Sequence, residues 1–102
     1  MKTILDFINE SQVNTQNLIK AIEGAEKLDP KSEENRDKLN VLAMDAIELY
    51  FSKNNENWDK KVNDELYQLY KSAFNAEYND KDYDKVKEIY LSVANKVVQA
   101  LS

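Results

Sequence analysis

Residues 86–101 read VKEIYLSVANKVVQAL, and the fold turns on whether this stretch is a strand or a helix. Its four valines and one isoleucine are β-branched, which lowers helix propensity and favours extended backbone. Their spacing points the other way. Val86, Ile89, Tyr90, Val93, Val97, Ala100 and Leu101 recur at threes and fours. On a helix they share one side; on a strand they would scatter over both. Burial of an amphipathic stripe supplies most of a helix's stability in a protein, so period outranks propensity here. The spacing predicts a helix over 82–101.

The rest of the chain agrees with that reading. Among 102 residues there is one glycine, Gly24, and one proline, Pro30. A β-rich chain of this length needs several tight turns, and those turns draw on Gly and Pro. Few connections and long helices are the expectation. In the first segment Ile4, Ile8, Ser11, Thr15, Leu18, Ile22 and Ala25 form a stripe, which predicts a helix over 3–28. Its weakly apolar middle leaves a break near Asn14–Thr15 open, and one continuous helix is the preferred reading. Leu28-Asp29-Pro30 then stops the chain and restarts it. Pro30 suits a first turn, Asp29 or Ser32 can cap, and Glu33 and Glu34 sit at the positive end of the new helix dipole.

That second helix is predicted over 31–53, with Leu39, Leu42, Ala43, Ala46, Leu49 and Tyr50 inward. The third is predicted over 56–76 behind a cap at Asn55 or Asn57, with Trp58, Val62, Leu66, Leu69 and Ala73 inward. Short connections between four helices predict a single all-α domain over 1–102, an antiparallel four-helix bundle in up-down-up-down order.

Composition narrows the chemistry. A formal net charge of −5 disfavours phosphate backbones, so no nucleic-acid partner is expected. The apolar cluster Ile4, Leu5, Phe7, Ile8 is too short for a secretory h-region or a membrane span, which makes the cytoplasm the expected location. Lysine outnumbers arginine thirteen to one, a bias associated with AT-rich bacterial or phage genomes. Histidine and cysteine are absent. That removes the Ser-His and Cys-His nucleophile systems, the usual zinc ligand sets and the Glu-x-x-His pairs of di-iron bundles. One glycine cannot build a phosphate-cradling loop. No catalytic, cofactor or metal residue is therefore assigned, and the protein is read as a non-enzyme without cofactors.

Two acidic motifs stand out. Glu33, Glu34 and Asp37, with Asp45 and Glu48 further along, are the nearest approach to an all-α, magnesium-dependent nucleotide hydrolase. That chemistry wants acidic pairs on two helices, and these lie on one. The second motif is YNDKDYDK, residues 78–85. As a calcium loop opening at Asp80 it would need Gly at its sixth position and Glu at its twelfth, where Lys85 and Leu91 stand. Asp80 or Asp82 as a helix cap, with Asp84 in the first turn, accounts for the same residues.

What remains is surplus apolar surface. Tyr67, Tyr70, Phe74 and then Tyr78 form a second stripe on the third helix. Val41, Met44, Ile47 and Phe51 do so on the second, and Leu91 and Val98 on the fourth. Either one or two helices are nearly central and bury both stripes, or the stripes form an interface. The candidate protein-binding residues are Tyr67, Tyr70, Phe74, Tyr78, Asp80, Asp82 and Tyr83, rimmed by Asp64, Glu77 and Asp84. An acidic, histidine-free helical domain of this size is expected to act as a protein-interaction module, an inhibitor or immunity-type protein that blocks a partner with a basic surface. That expectation is analogy at the level of fold, size and charge. A self-associating adaptor, in which the second and third helices pair with another copy, is the alternative.

Overall fold

The computed structural model describes residues 4–52 and 59–101, with side chains from Thr15 onward. Four α-helices pack together: α1 Ile4–Ala25, α2 Glu33–Ser52, α3 Lys60–Asn75 and α4 Tyr83–Leu101. A single π turn, Ala76–Asp80, extends α3. The protein is all-α, with no strand among the described residues.

Helix α1 is continuous through residues 9–17, as preferred from the sequence, and closes three residues earlier than the predicted 28. Its last turn closes locally, the Ile22, Gly24 and Ala25 carbonyls accepting from the N–H groups of Glu26, Lys27 and Leu28, and carbonyls just beyond it are taken up from elsewhere in the fold. The Lys87 ammonium donates to the carbonyls of Glu26 (2.6 Å) and Leu28 (2.9 Å), placing a cation at the negative end of the α1 dipole. Between α1 and α2, Asp29 Oδ1 accepts from the Lys31 N–H at 3.0 Å, and Ser32 Oγ accepts from the Asn35 N–H at 3.4 Å. Ser32 is thus the α2 cap, with Glu33 and Glu34 in the first turn.

The start of α3 differs from expectation. Its cap is Asp59, whose carboxylate accepts from the Lys61 N–H at 2.8 Å. The expected caps Asn55 and Asn57, and the expected inward Trp58, lie outside the described residues. Tyr50, fully buried near the end of α2, reaches this cap: its hydroxyl accepts from the Asp59 N–H at 2.9 Å.

The core holds Leu18, Ile22 and Ala25 from α1, Leu39, Leu42, Ala43, Ala46 and Tyr50 from α2, and Leu66 and Ala73 from α3. From α4 come Val86, Ile89, Tyr90, Val93, Ala94 and Val97. Helix α4 is central, packing on α2, α3 and α1, with the α2 contact the most extensive. Ala43, Ala46 and Ala94 are fully buried, and such short side chains let helix axes approach closely. Surrounded this way, α4 also tucks Leu91 and Val98 partly against the core. Helix α3 has no such company. It packs on α4 along one side and buries only Leu66 and Ala73 completely, with Val62 and Leu69 half-buried.

Candidate protein-binding face

The site is built where α3 leans toward α2 without closing on it. Only long side chains span the gap. Tyr70 donates its hydroxyl to Asn40 Oδ1 at 2.5 Å, and the rings of Phe51 and Tyr67 approach to 6.4 Å. From Tyr70 the aromatic row continues outward. Its ring meets Phe74 edge-on at 5.0 Å, and Phe74 stacks on Tyr78 at 5.9 Å with the planes 15° apart. Inward, Tyr70 lies 5.9 Å from the buried ring of Tyr90. The row is therefore rooted in the core at one end and bare at the other: Tyr67 is 46% exposed, Phe74 38% and Tyr78 65%.

Burial shows in the acidity of the two inner phenols. Desolvation pushes the Tyr70 hydroxyl above its ordinary value, the bond to Asn40 partly opposing it and nearby Tyr78 adding to it. Tyr90 is pushed up further, first by burial and then by Tyr70, Glu77, Tyr78 and Asp37 around it.

Helix α2 contributes unevenly. Phe51 (38% exposed) and Met44 (44%) belong to this face, since Met44 is one turn from Asn40 and two from Phe51 on the same side. Ile47 packs partly into the core. Val41, grouped with them by spacing, instead faces α1 in a groove with Gly24, Leu28 and Asp45. About 100° separates Val41 from Asn40 on the α2 wheel, and this is the physical reason: neighbouring positions on a helix fall to different partners once those partners are placed.

The far end of the row is set by Arg36, the sole arginine. Its Nε donates to Glu77 Oε2 at 3.1 Å, with the two side chains only 11% and 13% exposed. Its Nη1 donates to the carbonyls of Pro30 (2.9 Å) and Lys31 (3.0 Å), and its guanidinium carbon sits 4.0 Å from the centre of the Tyr83 ring. One planar fork thus ties the turn before α2 to the π turn and to the start of α4. The π turn ends with Lys81 in the left-handed region (φ 53°, ψ 34°), and the N–H groups of Lys81 and Asp82 both donate to the Ala76 carbonyl.

Of the seven residues picked from sequence, Tyr67, Phe74 and Tyr78 are gathered into one exposed row. Tyr70 is half-buried within it as an anchor. Asp82 is the α4 cap, accepting from the Lys85 N–H at 3.2 Å, while Asp80 is exposed and touches Asn75 at 3.4 Å. Tyr83 lies under Arg36. Two rim assignments need correction: Glu77 is consumed by Arg36, and Asp64 pairs with Lys60 at 2.9 Å on the other flank of α3. Met44 and Phe51, from the second stripe expected on the second helix, complete the face with Asn40, which the spacing did not single out.

That other flank of α3 forms a groove of about 660 Å³ toward α4, with Leu69 and Gln68 among the described lining residues. Four of its five rim charges neutralise one another as Lys60–Asp64 and Lys96–Glu65 pairs, with Lys61 the fifth. The acids considered for magnesium stay apart: Glu34 pairs with Lys38 at 3.8 Å, and Asp45 faces α1. Among the described residues no three acidic groups converge on a point that could hold a metal ion.

No protein-family model, no curated protein and no solved structure matches this chain. The functional reading rests on the face itself.

Proposed function

We propose that this protein is a small, non-enzymatic protein-interaction module that blocks another protein by covering it with the aromatic face of α2, α3 and the π turn. The observation that carries the reading is the Tyr70–Phe74–Tyr78 stack, bare at Phe74 and Tyr78 yet anchored through Tyr70 to Asn40 and Tyr90. Aromatic side chains dominate the cores of protein interfaces, and rings already held in place lose little freedom on binding. Asp80 and Asp82, exposed at the end of the row, suit basic groups on the partner.

The same proposal includes an up-down-up-down bundle working in the cytoplasm as an inhibitor or immunity-type protein. Three contacts support the helix order: Lys87 at the end of α1, Arg36 beside both Glu77 and Tyr83, and Tyr50 beside Asp59. No helix among the described residues is long and apolar enough to cross a membrane.

The test is capture from lysate of the native host by the wild-type protein and by a Tyr67→Ser/Phe74→Ser variant, with circular dichroism on both. The reading expects a protein retained by the wild type and lost by a variant that keeps its helicity. Capture that survives both substitutions overturns it.

A further inference from the structure

We infer that, when no other partner occupies it, the α2–α3 face takes a second copy of this chain, with α2 of each protomer lying over α3 of the other. This deepens the interaction reading above and rests on the same face. Two features select this occupant: the distribution of charge along the face and its size.

The outer ridge of α2 carries Asp37, Met44, Glu48 and Phe51 at spacings of seven, four and three. The outer ridge of α3 carries Tyr67, Lys71, Phe74 and Tyr78 at four, three and four. Both ridges are apolar rows with charge between, but the sign is split. Acids stand on α2 and Lys71 on α3, where Lys60 and Asp64 nearby neutralise each other. Among the described residues, none of Asp37, Glu48 and Lys71 forms an ion pair within its own chain. A strongly cationic helix laid along this face would meet Lys71 in the middle of the aromatic row. A second copy meets no such repulsion. In a twofold contact, residue i of one protomer touches j of the other and j touches i, so each α2 acid ridge faces Lys71 of the opposite chain and the match is made twice.

Size agrees with charge. At the exposures of Met44, Phe51, Tyr67, Phe74 and Tyr78, the bare apolar surface is roughly 450 Å². That lies within the roughly 300–600 Å² of the largest apolar patch on a typical monomer, a patch that is often functional. With the charged ridges added it approaches the ~800 Å² per partner of an ordinary specific interface. An interface of that area without a deep anchor pocket belongs at the weak end, with a dissociation constant on the order of 10 µM. Partner binding and self-association then compete for the same rings.

The test is sedimentation velocity on the full chain from about 1 to about 500 µM, a range that brackets this constant. A monomer–dimer equilibrium is expected, and a monomer throughout overturns the inference. Lys71→Glu alone, and Asp37→Lys/Glu48→Lys alone, each place like charges opposite one another and weaken the dimer by about tenfold. Mixed in equal amounts, the two variants form a heterodimer in which both ridges match again, so association returns to the wild-type strength. All these positions are exposed, so folding is retained and circular dichroism checks it. Dimers unaffected by either variant, or a mixture no tighter than its components, overturn the assignment of the face. A monomer whose partner capture still depends on Tyr67 and Phe74 sinks the dimer and leaves the proposed function standing.

Discussion

Arg36 Nε and Glu77 Oε2 lie 3.1 Å apart across 41 residues of sequence, and this ion pair closes the end of the molecule where three chain segments meet. Both side chains are largely shielded from water. Removing the arginine leaves an uncompensated carboxylate and strands the carbonyls of Pro30 and Lys31. Arg36→Ala is expected to cost about 3 kcal/mol in urea unfolding. Arg36→Lys should recover only part of this, because an ammonium cannot serve Glu77, two carbonyls and the Tyr83 ring from one plane.

Tyr50 holds the opposite end. Its hydroxyl accepts from the N–H of Asp59, the residue that caps α3. Tyr50→Phe keeps the ring and its burial while removing that acceptor. A loss of about 1 kcal/mol is expected in chemical denaturation. Faster hydrogen exchange should be confined to the first turn of α3.

Lys81 adopts φ 53° without being glycine. The left-handed region costs a residue with a Cβ roughly 1–2 kcal/mol, part of which glycine returns through a freer unfolded chain. Lys81→Gly should therefore raise stability by about 0.5–1 kcal/mol, read as a higher melting temperature. Lys81→Val should lower it.

The exposed rings and the core separate by energy. Leu66 is fully buried on the same helix as Tyr67 and Phe74. Leu66→Ala is expected to lose about 3 kcal/mol through a cavity. Tyr67→Ser and Phe74→Ser should each lose about 1 kcal/mol or less, because much of each ring already meets water. If the serine variants melt as low as Leu66→Ala, the rings are structural and the face is not a binding surface.

Alkaline pH probes the inner phenols. Tyr90 and Tyr70 are both raised above 10.0 in the folded protein, chiefly by burial. Their stabilising contribution is intact below pH 10.0 and declines above it, since the unfolded chain releases these protons first. Stability measured by denaturation should fall as pH rises past that point. Tyr90→Phe should flatten the decline, with absorbance at the phenolate band reporting the late titration.

Much of this architecture was legible in local sequence. The three-and-four spacing of Val86 to Leu101 outweighed its branched side chains, and α4 is a helix. Pro30 marked the break before α2, and Asp82 supplied the cap foreseen in YNDKDYDK. Caps and periodicity are local because their partners lie within a turn or two of chain. The candidate face was legible only as a surplus of rings. The role of Glu77 was misread because the cation that claims it comes from another helix, whereas the pairing of Asp64 with Lys60 one turn away was legible in the sequence.

The sequence by itself determined the helical class, the approximate spans of four helices and the exclusion of histidine and thiol chemistry. Only the tertiary structure decided which second stripes are covered. The extra apolar residues of α4 and α3 look alike in one dimension, yet Leu91 and Val98 pack against the core while Phe74 and Tyr78 face water. Periodicity tells which residues share a side of a helix. How many neighbours that helix receives is settled by packing: α4 has three, and α3 rests chiefly on one.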